Sequence, residues 1–169
     1  MNLREEILKE HSRPQALKNA GYACASRKNF KELMHCFLDE EYRLAQRAAW
    51  SVSWAARKKP EMITPHIEDL ISVLHKKNVH DAVIRNSVRV FQEIDIPEDY
   101  HGEVMDACFH FIEKPSTPVA IKVFSLTILF NLSKYYAEIK PELKLIIEDC
   151  WEHETAAFKS RAKKILSKL

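Results

Sequence analysis

Apolar side chains recur along this chain at the spacing of a buried helical face, and the arrangement returns four times. In "NFKELMHCFL" the face is Phe30, Leu33, Met34 and Phe37. The same i, i+3, i+4, i+7 spacing holds Ile67, Leu70, Ile71 and Leu74, then Val104, Ala107, Cys108 and Phe111, then Leu143, Ile146, Ile147 and Cys150. The quartets follow one another at offsets of 37, 37 and 39 residues. Each lies on one side of a helix with a period of about 3.6 residues.

Between these helices the pattern predicts a second set over 41–58, 80–94, 117–136 and 154–168. Aligning the second set brings Arg47, Arg85, Lys122 and Arg161 into register, at offsets of 38, 37 and 39. Pro60, Pro97, Pro115 and Pro118 punctuate the turns, while Pro65 and Pro141 suit first helical turns. Residues 2–26 add one or two helices as an N-terminal cap. The last helix, "AFKSRAKKILSKL", is apolar on one side through Phe158, Ala162, Ile165, Leu166 and Leu169. Its lysine-rich other side suits a terminal cap. A two-helix unit of this length cannot bury its apolar faces alone, so the period predicts an all-α stack of helical pairs.

The segments "DEEYRLAQRAAWSVSWAARKKPEMITPHIEDLI" and "STPVAIKVFSLTILFNLSKYYAEIKPELKLII" resemble HEAT repeats. The resemblance lies in an acidic residue near the inter-helix turn, a basic residue inside the second helix, and an alanine or aliphatic run. It covers about residues 28 to 168, and the whole chain is similar to small bacterial HEAT-like proteins of unassigned activity. It implies a right-handed α-α superhelix, a HEAT/armadillo-like solenoid of about four helical pairs plus the N-terminal cap. The expected organisation is one domain over 1–169, with cap helices in 1–26 and repeats in 28–168. No catalytic residue comes with the resemblance.

Composition narrows the chemistry. Only Gly21 and Gly102 are present among 169 residues. Phosphate-cradling loops and dinucleotide fingerprints need several closely spaced glycines, so both are excluded. A net charge of +2 points to no partner by itself. Cys24, Cys36, Cys108 and Cys150 form no CxxC pair, which fits reduced thiols and a cytoplasmic protein. The start "MNLREEILKE" lacks the apolar stretch of a signal peptide. The longest apolar run, "VAIKVFSLTILFNL", is too short to cross a bilayer, so no membrane association is expected.

The candidate surface lies on "YRLAQRAAWSVSWAARKKP". On a helical wheel Leu44, Ala45, Ala48, Ala49, Val52, Ala55 and Ala56 share one face. Trp50 and Trp54 fall opposite, with Arg43, Arg47 and Arg57. The aligned sectors hold Arg85, Arg89 and Gln92, then Lys122 and Ser125, then Arg161, Lys164 and Lys168. In a solenoid of the resembled type that sector faces the concave groove. The predicted partner-binding row is Arg43, Arg47, Trp50, Trp54, Arg85, Arg89, Lys122 and Arg161. Guanidinium groups fork onto carboxylates or phosphates, while indoles anchor apolar side chains or stack on bases. The opposing reading wedges the indoles between repeats and pairs the cations with acids such as Asp39, Glu40 or Asp81. Both readings stand on the sequence.

Signals for catalysis are sparse. Eight histidines show no HExxH or other ligand spacing, and neither His35–Cys36 nor His75–His80 makes a metal template. No cofactor and no metal are expected. Cys150 and His153 lie one helical turn apart, a spacing compatible with an activated thiolate or with a buried cysteine beside an exposed histidine. Some HEAT-like solenoids are DNA glycosylases that hold a cationic lesion between concave tryptophans and an acidic residue. Trp50 and Trp54 suit the aromatic part, but the aligned sector offers no aspartate among its cations. The chain is therefore expected to be a non-catalytic module for an acidic or amphipathic protein segment, with nucleic-acid binding, including a DNA-alkylation-repair glycosylase-like role, as the alternative.

Overall fold

Short polar side chains open the helices where the amphipathic pattern begins. Asn2, Ser12, Ser26 and Thr155 each accept a hydrogen bond from a backbone N–H in the first turn that follows. Each thereby satisfies a donor that helix geometry leaves without a partner. In the computed structural model, which describes all 169 residues, these caps start α1 (Leu3–Lys9), α2 (Arg13–Ala23), α3 (Arg27–Phe37) and α11 (Ala156–Leu166). Between α3 and α11 lie α4 (Tyr42–Lys58), α5 (Pro60–Ile63), α6 (Ile67–His75), α7 (Asp81–Phe91), α8 (His101–Glu113), α9 (Val119–Leu132) and α10 (Ile139–Cys150). No strand is present. The chain forms two compact units, Met1–Glu93 and Ile94–Leu169.

In the first unit α4 is the central helix, packed against α1, α2, α3, α5 and α7. Its alanine face makes this possible, because Ala48, Ala49, Ala55 and Ala56 are all buried and let neighbouring backbones approach. Phe30, Leu33, Met34 and Phe37 of α3 fill the space beside it, and Leu70 of α6 and Phe91 of α7 are likewise fully enclosed. Burying each such side chain contributes roughly 1.5–3 kcal/mol. The cap is the pair α1–α2, and it is tied by Glu6. That carboxylate accepts from Lys18 at 2.7 Å, from Gln15 at 3.3 Å and from Lys9.

In the second unit α9 plays the central part, packed on α8, α10 and α11. Ile121, Leu126, Ile128, Leu129 and Leu132 are buried on α9, against Val104, Cys108 and Ile112 of α8 and Phe158, Ala162 and Ile165 of α11. On α10 the quartet is covered unevenly: Leu143 and Ile147 are buried, while Ile146 and Cys150 are half-exposed. Two predicted helices are shorter than their patterns. The 80–94 segment ends as helix at Phe91, and the 117–136 segment runs only from Val119 to Leu132. Pro118 stands in extended backbone ahead of α9. Ser133 Oγ donates to the Phe130 carbonyl at 2.8 Å, and the amides of Tyr135 and Tyr136 return to Leu132. Those bonds satisfy the last carbonyls and release the chain before the tyrosines.

Glu6 gives a pH signature. Its hydrogen bonds from Lys18, Lys9 and Gln15 lower its pKa from 4.5 to about 2. The stability it contributes is therefore complete above pH 4.5 and fades as pH falls toward about 2. Urea unfolding of the wild type and Glu6→Gln should show a wild-type advantage at neutral pH that narrows across that acid window. An advantage that is unchanged through the window would contradict the assignment.

Candidate functional site

The two indoles of α4 meet different surroundings. Trp50 is half-buried and takes the ring of His11 edge-on, with centroids 5.4 Å apart and planes at 83°. Trp54, one turn on and also half-buried, lies under three guanidinium groups. Their carbons stand 5.2 Å (Arg13), 5.0 Å (Arg57) and 5.3 Å (Arg89) from its ring centroid. Arg13 comes from the first turn of α2, Arg57 from the last turn of α4 and Arg89 from the last turn of α7. Cations over an indole face are held by the ring quadrupole, worth about 0.5–2 kcal/mol each.

The electrostatics of this cluster are lopsided. Arg57 is bound by Glu93, whose Oε2 accepts from Nε at 2.8 Å and whose Oε1 accepts from Nη2. That bond raises the Arg57 pKa. Burial, and after it the neighbouring charge of Arg57, holds the Arg89 guanidinium below its ordinary proton affinity, with Arg85 adding to the effect. Trp54 Nε1 is buried and donates to nothing. A buried donor without an acceptor costs on the order of 1–3 kcal/mol, and such groups are rare in folded proteins. Guanidinium and indole groups are donors only. Acceptors are therefore the scarce commodity around Trp54.

The remaining candidates separate. Arg43 and Arg85 are exposed. Arg47 turns back to the end of α1, donating to the Leu8 carbonyl at 2.6 Å and to that of Ile7 at 3.5 Å. There it satisfies carbonyls that lack a helical partner and meets the negative end of the helix dipole. In the second unit Lys122 is not presented to solvent. It is 3% exposed, and its ammonium is paired with Glu154, which is nearly as deep. Arg161 donates to Thr127 Oγ1 of α9. Of the acids expected to pair with the ladder, Asp39 binds Arg4 instead at 2.7 Å, beside Glu41 at 2.8 Å.

The sequence reading missed Arg13 and Glu93. Arg13 belongs to a cap helix outside the repeat register, and Glu93 lies just past the end of α7. The only signal was Arg85, Arg89 and Glu93 at i, i+4, i+8, which places all three on one side of a helix.

The catalytic candidates are unactivated. The Cys150 thiol donates to the Ile147 carbonyl at 3.6 Å, and burial pushes its pKa up. Burial likewise raises Cys24, takes Cys36 to about 11 and takes Cys108 to about 12. A thiol is nucleophilic only as thiolate, so this shift works against reactivity. No three His, Cys, Asp or Glu side chains converge where they could hold a metal ion. Tyr136 closes the end of α9 by bonding to buried His101 at 3.0 Å, while His101 Nε2 lies 2.7 Å from the Ile96 carbonyl. No helix is long and apolar enough to cross a membrane.

A family model described as a HEAT repeat domain matches residues 3–169. The chain belongs to the HEAT repeat domain family. It is an all-α solenoid chain, and the match takes in α1 and α2 as well as α3 to α11. HEAT repeats generally mediate protein interaction, and they do so by surface rather than by catalytic groups. No curated protein and no solved structure is found to match this HEAT repeat chain.

The Lys122–Glu154 pair of the second unit gives a stability test. Removing one partner leaves a buried charge uncompensated, so Glu154→Gln should lower unfolding free energy by about 3–5 kcal/mol. The double replacement Lys122→Met, Glu154→Leu should recover most of that loss. Urea denaturation of the wild type, Lys122→Met, Glu154→Leu and the double variant would reveal the coupling, and additive losses would contradict it.

Proposed function

We propose that this HEAT repeat chain is a non-catalytic scaffold module that binds an acidic or amphipathic segment of a partner protein. The surface is the basic, indole-bearing side of the first unit: Arg43, Trp50, Trp54, Arg85 and Arg89. The observation that carries the reading is the unbalanced charge around Trp54, where three guanidiniums share one ring and only Arg57 has a carboxylate. A surface built for internal pairing balances its charges, as Lys122 and Glu154 do in the second unit. Half-exposed indoles beside unpaired arginines match the composition of binding hot spots, where truncating one anchor costs about 2 kcal/mol or more. Lys122, being buried and paired, is not part of this surface. Arg47 supports it by fixing α1.

Two ligand types separate the readings: a labelled peptide rich in glutamate and leucine, and duplex or single-stranded DNA. Anisotropy titrations over a salt series should show peptide binding that falls on the order of tenfold in Trp50→Ala. The same loss is expected in the Arg43→Glu, Arg85→Glu double variant. Both arginines are exposed, so the variant should keep its circular dichroism. Arg47 is left in place because it holds α1. DNA binding with a log–log salt slope near −0.9 per phosphate, and no peptide binding, would transfer the surface to nucleic acid and overturn the proposal.

A further inference from the structure

We infer that a cavity in the second unit is a binding site for a small organic cation with an apolar body, an ammonium group carried on a hydrocarbon frame. The cavity holds about 450 Å³ and opens between the end of α8, the start of α9 and the link from α10 to α11. Thr155 fixes that link. Its side chain caps α11 by accepting from the Phe158 amide, and Glu154 before it stands in extended backbone. From there Glu154 meets Lys122 of α9, and both side chains line the cavity while only 8% and 4% exposed. Ile112, Val119 and Ile146 supply apolar wall around them.

A buried ion pair adds little to a fold, because desolvation offsets the attraction and apolar replacements commonly cost nothing. This pair is also not closed off. Lys122 engages only Oε1 of Glu154, while Oε2 takes no bond within the fold and is not sealed from solvent. The lining carries the carboxylates of Glu113, Asp149 and Glu154 against the Lys122 ammonium and the His153 imidazole. Cys150 reports how near three of these charges lie to one point. Burial raises its thiol pKa, and after burial the charges of Glu154, Lys122 and Asp149 act on it. An anion entering here finds its buried cation already paired and carboxylates on several sides. An ammonium finds Glu154 Oε2 at depth, with Asp149 and Glu113 exposed nearer the mouth. Its hydrocarbon frame would cover the apolar wall. Sites for small molecules hold about 300–1,000 Å³ and are mostly apolar with a few placed polar groups. One lysine side chain from a partner would leave much of this volume empty, so a free small molecule is the better fit.

Calorimetric titration of the full chain with 4-phenylbutylamine, 4-phenylbutanol and 4-phenylbutyrate varies the charge on one frame. The amine is expected to bind at least about tenfold tighter than the alcohol, with the carboxylate weakest. The double variant Lys122→Met, Glu154→Leu, checked for folding by circular dichroism, should erase the amine's advantage over the alcohol. Asp149→Asn, at an exposed position, should weaken the amine and leave the alcohol unchanged. Cys150 gives an independent handle, because it is half-exposed while Cys24, Cys36 and Cys108 are buried. Labelling it with a benzyl methanethiosulfonate should block the cavity and abolish amine binding. Equal affinity for amine and alcohol would overturn the cation assignment, and tighter binding of the carboxylate would reverse its sign. Amine binding indifferent to the variants and to the Cys150 label would overturn the site. No binding of the amine would overturn the inference outright. Tighter binding of an acetylated leucine–lysine–leucine peptide would overturn the small-molecule assignment and give the cavity to a partner's side chain. Each of these outcomes leaves the Trp54 surface of the first unit as it stands.

Discussion

Close packing on the small-residue face of α4 is the constraint from which the first unit follows. Alanines at 48, 49, 55 and 56 keep that face thin, so α2, α3 and α7 all reach one helix. A large side chain there would force the neighbours apart, because packed interiors absorb little extra volume without strain. The helical wheel then leaves one direction for everything bulky or charged on α4. Trp50, Trp54 and Arg57 project away from the alanine face, and Arg13 and Arg89 converge on Trp54 because α2 and α7 flank the same helix. The candidate site is a by-product of how the core is filled.

Four cations in register, four different fates: the repeat positions show how far periodicity carries. Arg47 holds the carbonyl end of α1, Arg85 is exposed, Lys122 is buried against Glu154, and Arg161 meets Thr127. The period identifies equivalent places on equivalent helices. It does not make their neighbours equivalent, because each pair borders different turns and caps. A buried ammonium such as that of Lys122 persists because Glu154, just past a one-turn 3-10 segment, comes to meet it. Its counterpart Arg85 has no such acid.

What could be read from the sequence was the part governed by local spacing. The quartets at 30–37, 67–74 and 104–111 are buried as read, and the prolines fall at turns or first turns, as with Pro60 and Pro141. The opposition of indoles and alanines on α4 was also legible, since it depends on one helix alone. The Trp54 cluster was only half legible. Arg89 follows from the register, but Arg13 reaches the ring from a cap that obeys no repeat, and Glu93 selects Arg57 among several cations. Long side chains find partners by reach and angle in three dimensions, and neither quantity leaves a trace in spacing.

The crowding of guanidiniums on Trp54 also has a meaning for the free protein. Like charges gathered at one ring work against the fold that gathers them, and a buried donor without an acceptor adds to the same side. The helices that supply them, α2, α4 and α7, are held by their apolar contacts despite this repulsion. Any anion that settles there binds the folded unit and not the unfolded chain, in which the three arginines are scattered. By linkage it must then tighten the unit. Occupancy and firmness of the N-terminal helices are thus one equilibrium seen from two ends.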